Sequence, residues 1–302
     1  MNAGTKVALV TGCSSGIGEA TAWALAKAGY RVCATARNVE HLESLRKRAL
    51  ESGLFLQARP LDVSKQGEID AVISEIGTGA GRLDVLVNNA GYALFGAIEE
   101  IPSEDLRRQF DVNVFGLVDV SKAALPLMRR SGGGTIVNIS SVAGRVPAPL
   151  MGAYCSTKFS VEALSLAMRA EVHQFGIRVV IIEPGPVNTK FSENAIKASG
   201  HIIRRNDGPY ANAYASIRTM YENDGPIGAP AERVAKVIMR AVRAKNPKSR
   251  YSVRARDRLL SLAGSLVPTR VGQRFIRGYF HLNPPGRYSP KLQLARKEMK
   301  RS

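Results

Sequence analysis

The sequence predicts an α/β protein built on a doubly wound parallel sheet with helices on both faces. Short apolar runs rich in β-branched residues alternate along the chain with longer amphipathic stretches, a pattern typical of strand–helix–strand units with right-handed crossovers. Runs such as VALV and VVII are continuously apolar rather than alternating. Strands that are buried on both faces of a parallel sheet have that composition, because each of their sides contacts a helical layer.

The first half of the chain supplies four of the predicted strands. KVALVTG leads through a glycine-rich turn into a helix over 17–28, and RVCATAR leads into a helix over 39–52. FLQARPLD precedes a helix over 64–76, and LDVLVNNAG follows that helix. Each run has the length of a strand, and each stretch between two runs is long enough for several helical turns.

The second half continues the alternation as far as one irregular segment. A long helix over 103–130 ends at the glycine turn RSGGGT, and the strand GTIVNISS follows it. A helix over 153–175 precedes IRVVIIEPG, and a helix over 231–244 precedes SRYSVRARD, the last predicted strand. Residues 190–228 lack clean periodicity and contain several Gly, Pro and Asn.

Length and charge divide the chain into a domain and an extension. With 302 residues of which 45% are apolar, the chain can bury a sizeable core, and no repeat or flexible linker interrupts residues 1–255. The net charge of +18 is uneven: residues 1–200 carry +2 and residues 201–302 carry +16. We therefore expect one α/β domain over 1–255 and a basic helical extension over 256–302.

The extension has three open interpretations. Two short amphipathic helices interrupted by Pro268 are expected, followed by a loosely ordered end. Their basic and apolar faces suit packing over a substrate cleft or a partner subunit, contact with an anionic membrane surface, or exposure as a solvated basic face. Because the excess charge is confined to the last third of the chain and the first 200 residues are near neutral, no nucleic-acid partner is expected.

Cysteine usage and hydropathy limit the chemistry and the location. Cys13, Cys33 and Cys155 are far apart and form no C-x-x-C, so they predict free thiols and neither a disulfide framework nor a metal site. No run of 18 apolar residues occurs, and the first residues lack the pattern of a signal peptide. A cytoplasmic location is expected, with peripheral membrane contact through the extension as an option.

The turn after the first strand has the features of a dinucleotide site. Gly12, Gly16 and Gly18 lie between a strand and a helix, where glycine lets the backbone approach a ligand and the helix N-terminus favours a pyrophosphate. The spacing G-x-x-x-G-x-G departs from the commoner G-x-G-x-x-G. A purely structural glycine turn is the alternative.

The end of the second strand favours NADP(H) over NAD(H), and the end of the third strand offers a contact to the adenine. A carboxylate at the end of the second strand would bind the ribose 2′-hydroxyl, but this strand ends in Ala36 and Arg37. A guanidinium pairs well with the 2′-phosphate of NADP, unless Arg37 is simply a solvated side chain. Asp62, at the end of the third strand, is placed to accept from the adenine amino group.

Tyr154 and Lys158 are four residues apart ahead of a helical pattern. Residues at this spacing share one face of a helix, so their side chains can interact. The spacing by itself is equally compatible with two surface residues.

Six motifs together resemble the short-chain dehydrogenase/reductase family. They are TGCSSGIG at 11–18, NNAG at 88–91, the Asn of DVNVFG at 113, NISS at 138–141, YCSTK at 154–158 and PGPVNT at 184–189. The resemblance covers roughly residues 5–245, and the closest branch is that of 17β-hydroxysteroid and retinol dehydrogenases. It implies a Rossmann-like domain with a seven-stranded sheet, a nicotinamide cofactor, and redox chemistry between an alcohol and a carbonyl.

The resemblance also assigns the site residues. Tyr154 becomes the general acid/base and Lys158 its activator, while Asn113 holds a water in the proton relay. Ser141 orients the substrate oxygen and is preferred to Ser140 because the family's serine lies about thirteen residues before the tyrosine. The expected cofactor-binding residues are Gly12, Ser14, Ser15, Gly16, Ile17, Gly18, Arg37, Asp62, Val63, Asn89, Ala90, Gly91, Tyr154, Lys158, Pro184, Gly185, Val187 and Thr189.

The chemistry of these side chains suits hydride transfer, in which the protein manages one proton. A free tyrosine has a pKa of about 10, and a nearby ammonium lowers it by stabilising the phenolate. Ser141 would donate to the oxygen on which negative charge grows. Asn88 and Asn89 either brace the sheet or line the adenosine side, and Thr189 is suited to bind the nicotinamide carboxamide.

The substrate is expected to be a lipophilic alcohol or ketone, such as a steroid or a retinoid. In the family, the segment after the sixth strand forms a lid, and apolar residues here either line the pocket or form packing core. They are Leu94, Phe95, Val146, Leu150, Phe191, Ile196, Ile202, Ile203, Tyr210 and Tyr214. Family members pair through the helices predicted at 103–130 and 153–175, so a homodimer or homotetramer is expected.

A protein of another class is the alternative. A non-catalytic dinucleotide sensor could use the same fold together with the basic extension to reach a membrane or nucleic acid. Such a protein has no need of the complete set of Asn113, Ser141, Tyr154 and Lys158, so the intact set favours an enzyme.

Overall fold

The computed structural model describes residues 4–205, 207–222, 228–266, 277–278 and 282. Strands and helices alternate along these residues in the predicted order. The strands are β1 Val7–Val10, β2 Arg31–Ala36, β3 Leu56–Pro60, β4 Val85–Asn88, β5 Gly134–Ile139, β6 Ile177–Glu183, β7 Val187–Asn188, β8 Ala229–Pro230 and β9 Arg250–Ser252. The α-helices are α1 Gly16–Lys27, α2 Glu43–Glu51, α3 Gln66–Ala80, α4 Ser103–Phe110, α5 Gly116–Arg130, α6 Gly152–Glu171, α7 Phe191–Ile203, α8 Ala211–Glu222, α9 Ala231–Arg243 and α10 Ala255–Leu266.

Seven of these strands form one parallel sheet in the order β3-β2-β1-β4-β5-β6-β9. In β1, Val10 pairs with Ala34 of β2 on one side and with Val87 of β4 on the other. The direction of winding reverses between β1 and β4, and the crevice outside the carboxyl ends at such a point is where α/β sheets bind ligands. The predicted fold class and all seven predicted strands are confirmed.

Both faces of the sheet are covered by helices. Val10 and Val87 pack on the face that α1 and α9 cover, whereas Leu9 and Leu86 pack on the face that α3 and α5 cover. Neighbouring residues of one strand therefore contact opposite layers, and both need apolar side chains. This explains the continuous apolar runs in the sequence.

The predicted helices are confirmed, with changes in several of their interiors and ends. The helix over 39–52 begins with a 3₁₀ turn at Val39–Leu42 ahead of α2. The helix over 103–130 is divided by a π-helical segment, Asp111–Phe115, between α4 and α5. The helix over 153–175 continues as α6 to Glu171, and a 3₁₀ turn at His173–Phe175 follows it. Gly176, with φ of 69°, ends that turn, because glycine adopts the left-handed conformation without steric cost.

The segment 190–228 differs from the sequence prediction, since it contains α7 and α8. In α7, the buried positions Ala195, Ser199, Ile202 and Ile203 recur at helical spacing. Two of these residues are small, so the pattern is weak in the sequence. Tertiary packing against the chain around Phe95 buries this face and stabilises the helix.

The beginning of the predicted extension packs on the sheet domain. Helix α10 begins at Ala255, and its buried Asp257 pairs with Arg254 at 3.2 Å. Arg254 also donates to the carbonyl oxygen of Pro186, at 3.2 Å. The predicted interruption at Pro268 and the loosely ordered end fall on residues outside the described ranges. Among the described residues, no helix is long and apolar enough to cross a membrane.

Candidate active site

The glycine loop between β1 and α1 is folded tightly against the chain that follows β4. Gly12 and Gly16 have φ of 70° and 62°, which only glycine adopts without strain. A Cβ on Gly18 would lie 2.6 Å from Nδ2 of Asn89. That amide donates to the carbonyl oxygens of Thr11 at 3.0 Å and Gly12 at 2.9 Å, so Asn89 holds the loop in shape. These contacts require all three predicted glycines.

The N-terminus of α1 is suited to bind an anion. Ser15 occupies the N-cap position but its side chain makes no capping hydrogen bond. The first N–H groups of a helix lack intrahelical partners and carry partial positive charge. Ser14 is exposed, and Ser15, Gly16 and Ile17 are half-buried, so this end of the helix is accessible.

Arg37 and Asp62 follow the carboxyl ends of neighbouring strands, β2 and β3. Asp62 Oδ1 accepts from Ser64 Oγ at 2.7 Å and from Ser64 N at 3.1 Å. Burial opposes ionisation of this carboxyl, but the Ser64 hydrogen bonds and the charge of Arg37 outweigh burial and lower its pKa. Arg37 is exposed, so its guanidinium is free to meet a ligand. Val63 is buried and packs against Gly116.

Asn113 lies in the π-helical segment, which turns its side chain toward the chain after β4. Its Nδ2 donates to the carbonyl oxygen of Tyr92 at 2.8 Å and to Thr157 Oγ1 at 3.1 Å, and its Oδ1 accepts from Tyr92 N at 3.0 Å. Because Thr157 belongs to α6, these bonds join the π-helical segment to the helix of Tyr154. Short π-helical insertions are frequent at functional sites.

Tyr154 and Lys158 are both buried on α6. Lys158 Nζ donates to the carbonyl oxygen of Ile139 at 2.8 Å and lies 5.7 Å from the centroid of the Tyr154 ring. A Cβ on Gly91 would be 3.0 Å from Asn113 Oδ1 and 4.0 Å from Lys158 Nζ. Gly91 therefore lies where the two polar side chains approach each other, and the structure brings Asn113, Tyr154 and Lys158 together.

Burial makes the Lys158 ammonium easier to deprotonate. Loss of hydration lowers the pKa of Lys158 to about 8, while the charge of Glu162 opposes this change. A lysine in this range is protonated near neutral pH and can exchange its proton as conditions change.

Ser140 and Ser141 have different surroundings after β5. Ser140 is buried, and a Cβ on Gly144 would lie 2.8 Å from its Oγ. Ser141 is half-buried; its Oγ accepts from Ala143 N at 3.2 Å and donates to the carbonyl oxygen of Pro184 at 3.4 Å. Only Ser141 retains an accessible hydroxyl group of the kind a substrate needs.

The PGPVNT loop connects the glycine loop with the start of the extension. A Cβ on Gly16 would lie 2.7 Å from Thr189 Cγ2, so Thr189 contacts the glycine loop directly. Val187 pairs with Ala229 in the short sheet of β7 and β8. Gly185 packs closely against α10, since a Cβ on Gly185 would lie 2.8 Å from Asp257 Cγ.

The apolar residues expected at the substrate pocket separate into two groups. Phe95, Ile202, Ile203 and Tyr214 are fully buried, so they form packing core, the second of the two roles considered from the sequence. Phe191 is 37% exposed, and its ring centroid lies 5.7 Å from that of Tyr154. Phe191 is thus the aromatic side chain of α7 that contacts the Tyr154 ring.

Sequence patterns do not predict a charged cluster that joins α6 to the strands β6 and β9. Glu162, Glu183 and Arg250 form ion pairs although they belong to α6, β6 and β9. The only sequence signal is that Glu162 follows Lys158 by one helical turn. The partners of Glu162 are set by strand order, which local patterns do not specify.

Comparison with known proteins agrees with this geometry. The family model for short chain dehydrogenases matches residues 6–199, which is most of the described sheet domain. The chain belongs to the short-chain dehydrogenase family. The family resemblance is therefore confirmed, and the chain is an oxidoreductase of this family, as its curated relatives are.

Two curated relatives of this short-chain dehydrogenase have specific names. It is 32% identical over 276 residues to a 3-ketodihydrosphingosine reductase of Bacteroides thetaiotaomicron, covering 91% of this chain and 98% of the relative. It is 34% identical to an NADPH-dependent 3-dehydrocapnine reductase of Ornithobacterium rhinotracheale, covering 88% and 94%. Neither is named as a hydroxysteroid or retinol dehydrogenase, so that narrower branch stays a prediction.

Solved structures of the family superpose well on this short-chain dehydrogenase. A short-chain dehydrogenase from Streptomyces avermitilis has a TM-score of 0.74 and 33% identity, covering 91% of this chain and 98% of that one. A metagenomic short-chain oxidoreductase in complex with NADP has a TM-score of 0.65 and 28% identity, covering 82% and 96%.

Proposed function

We propose that the protein is an NADP(H)-dependent oxidoreductase that interconverts an alcohol and a ketone or aldehyde on a lipophilic substrate. The observation that carries this proposal is the meeting of Tyr154, Lys158 and Asn113 beside the glycine loop. All of them lie near the carboxyl ends of β1, β4 and β5, where the sheet has its switch point.

The residues present fit a dinucleotide. The glycine loop turns tightly at Gly12 and Gly16 and leads into the N-terminus of α1, which lacks a side-chain cap, so its free N–H groups suit a pyrophosphate. Arg37 would pair with the 2′-phosphate, and Asp62 and Val63 would face the adenine. One relative is named as NADPH-dependent, and two of the solved structures contain NADP, which supports this choice of cofactor.

The other predicted contacts are assigned around these. The loop residues Ser14, Ser15, Gly16 and Ile17 would surround the pyrophosphate. Asn89, Ala90 and Gly91 would border the adenosine side, and Lys158 would donate to the nicotinamide ribose. Pro184, Gly185, Val187 and Thr189 would border the carboxamide.

The bound cofactor would supply the hydride for reduction and accept it for oxidation, so the protein's task is to orient the reacting carbon and oxygen and to move one proton. Tyr154 donates its phenolic proton to the substrate oxygen during reduction and accepts it during oxidation. The Lys158 ammonium stabilises the phenolate that remains, which makes the proton easier to release. Ser141 Oγ donates to the substrate oxygen as negative charge develops there.

Asn113 contributes to this proton transfer by holding a water and by positioning α6. Its side-chain amide is held by Tyr92 and Thr157, so a relay water would be bound by its main-chain carbonyl oxygen. The same hydrogen bonds fix the distance between the π-helical segment and α6, which keeps Lys158 oriented.

The substrate proposal has two supports. Phe191 offers an exposed aromatic face beside Tyr154. The two relatives with specific names are a 3-ketodihydrosphingosine reductase and a 3-dehydrocapnine reductase, and both names indicate that a ketone is reduced. We therefore favour reduction of an amphiphilic ketone, and keep steroids and retinoids as narrower hypotheses for the same site.

The test is a cofactor-linked assay of the purified protein. NADPH and NADH are supplied side by side with a panel containing a sphingoid ketone, a steroid, a retinoid and a short aliphatic ketone, and nicotinamide absorbance is followed. We expect turnover with NADPH, and a loss of about 10²-fold or more in kcat for Tyr154→Phe.

Tyr30→Phe is the matched control, because Tyr30 immediately precedes β2, at the amino ends of the strands, whereas Tyr154 lies near their carboxyl ends. Equal activity of Tyr154→Phe and the parent enzyme would contradict the mechanism. Tight binding of NADPH without turnover of any carbonyl would instead favour the dinucleotide-sensing alternative.

A further inference from the structure

A buried cluster of charges adjoins the face of α6 that carries Lys158. Glu162 Oε2 accepts from Arg250 Nε at 2.9 Å, and Arg250 Nε lies 3.4 Å from Glu183 Oε1. The side chains of Glu162 and Glu183 are only 7% and 4% exposed. Two largely buried carboxylates thus share the Arg250 guanidinium at short range, and removing them from water has a cost in free energy.

The negative charge of this cluster is incompletely neutralised. Arg145 is a second cation near Glu183, but at 3.9 Å. Burial, followed by the charge of Glu162, raises the pKa of Glu183. Glu162 Oε1 is buried and accepts no hydrogen bond within the described part of the chain. An unpaired buried oxygen keeps a strong field, because little water screens it.

The same field reaches Lys158. Glu162 follows Lys158 by four residues, so the two side chains lie on one face of α6, and both are buried. Gly144 packs on this face: a Cβ there would lie 3.0 Å from the Lys158 carbonyl oxygen and 3.2 Å from Glu162 Cγ. A larger residue at 144 would therefore separate the chain after β5 from the helix that carries both charges.

We propose that Glu162 is a positioning residue of the active site, whose buried carboxylate, anchored by Arg250, keeps the Lys158 ammonium charged during catalysis. The proposal rests on the function proposed above and extends it to a group that contacts neither substrate nor cofactor. Arg250 belongs to β9, so the strand that leads into α10 takes part in this arrangement.

Few other charges face Lys158 from the elements packed around it. Helix α6 itself contributes Tyr154 and Glu162. The strand β5 contributes the carbonyl oxygen of Ile139, and the π-helical segment contributes the neutral Asn113. Beyond Glu162 lie Glu183, Arg250 and Arg145, from β6, β9 and the turn after β5.

The sign of the effect follows from these charges. Burial lowers the pKa of Lys158, and Glu162 is the group that raises it. Neutralising Glu162 therefore lets Lys158 lose its proton at lower pH. In the direction of carbonyl reduction, activity falls once Lys158 and Tyr154 lose their protons, so the alkaline limb of the kcat profile should move to lower pH.

The experiment compares pH profiles of kcat for ketone reduction with NADPH. For Glu162→Gln we expect the alkaline limb to move down by about one pH unit. Glu162→Asp keeps the charge and should retain the limb of the parent enzyme. Glu162→Met fills the space with apolar atoms and replaces Glu162→Gln if the amide variant does not fold.

Asp84→Asn is the matched control. Asp84 is also a largely buried carboxylate paired with an arginine, Arg82 at 2.6 Å, but it immediately precedes β4, at the amino ends of the strands rather than at the carboxyl ends where the site lies. It should change stability without moving the limb. If the Glu162→Gln limb coincides with that of Asp84→Asn, the inference is wrong while the proposed function stands. If the parent enzyme reduces no carbonyl, the proposed function fails and the inference with it.

Discussion

At the scale of single residues, burial of the charged Lys158 side chain lowers the free energy of unfolding of the protein. Its ordinary pKa is 10.5 and burial lowers it to about 8. Below pH 8 the folded and unfolded chains both carry the proton, so folding bears the full cost of burying the charge. The cost declines as pH rises from about 8 to 10.5, where the folded chain alone has released the proton.

We expect Lys158→Met to stabilise the protein at pH 7 while it abolishes most activity. The gain in the free energy of unfolding should be about 1–3 kcal/mol, reduced by the lost hydrogen bond to Ile139. Urea unfolding of both proteins at pH 7 and pH 10 measures it. The difference should shrink at pH 10, and a variant that is less stable than the parent protein at pH 7 would contradict this account.

Gly18 allows the glycine loop to pack closely, and the addition of one methyl group tests this role. In Gly18→Ala, the new Cβ would meet Asn89 Nδ2 at 2.6 Å and the carbonyl oxygen of Gly12. We expect a loss of about 1–3 kcal/mol in the free energy of unfolding and at least about tenfold weaker NADPH binding, measured by denaturation and by fluorescence titration.

Gly77→Ala is the control for that substitution. Gly77 lies inside α3, and within the described structure a Cβ there would have no neighbour within 4 Å. Alanine at an open helical position should stabilise by about 0.5–1 kcal/mol and leave cofactor affinity unchanged. Equal effects of the two substitutions would show that Gly18 has no special role.

At the scale of secondary-structure elements, an amide network joins the two central strands to the two helices of one layer. Asn88 Nδ2 donates to Asn138 Oδ1 and to Ser121 Oγ, each at 2.9 Å, and Asn138 Nδ2 donates to Ser165 Oγ at 2.8 Å. These residues belong to β4, β5, α5 and α6. Asn88 thus braces the sheet, as one of its two sequence interpretations stated, while Asn89 holds the glycine loop.

Asn138→Ala should destabilise the protein by about 2–4 kcal/mol, because it leaves buried polar groups of Asn88 and Ser165 unpaired. A double-mutant cycle with Ser165→Ala in urea should give a coupling energy of about 0.5–3 kcal/mol. Ser160→Ala, at a half-buried position on the same helix and outside the amide network, should couple to Asn138→Ala by less than about 0.5 kcal/mol. Additive effects of Asn138→Ala and Ser165→Ala would contradict a network.

At the scale of the whole molecule, apolar surface remains around α5 and α6. Phe115, just before α5, is 55% exposed, and Phe159, on α6, is 42% exposed. The π-helical segment and α6 are in contact, so these side chains belong to neighbouring elements. Large exposed aromatic residues on adjacent elements are typical of association surfaces, which agrees with the predicted pairing through these helices.

We expect Phe115→Glu combined with Phe159→Glu to shift a homodimer or homotetramer toward smaller species. Light scattering across working concentrations measures the mass. Leu50→Glu, on α2 at a position that is 74% exposed, should leave the mass unchanged. A monomeric parent protein would refute the predicted association.

The sequence by itself determined the order of strands and helices, the glycine loop and the Tyr154–Lys158 pair. These features depend on local patterns: β-branched runs for strands, glycine spacing for the loop, and an i to i+4 step along one helix. The helices of 190–228 were missed because small residues at the buried positions of α7 weaken its period.

Only the tertiary structure decided which distant residues meet. Arg250 contacts Glu162 across 88 positions of the chain, because β9 pairs with β6 at the edge of the sheet beside α6. Likewise, Phe95 and Tyr214 are core while Phe191 lies beside Tyr154, although all three are aromatic residues in apolar surroundings. Local composition specifies that a residue prefers burial, whereas its partners follow from strand order and helix packing, which arise from the whole chain.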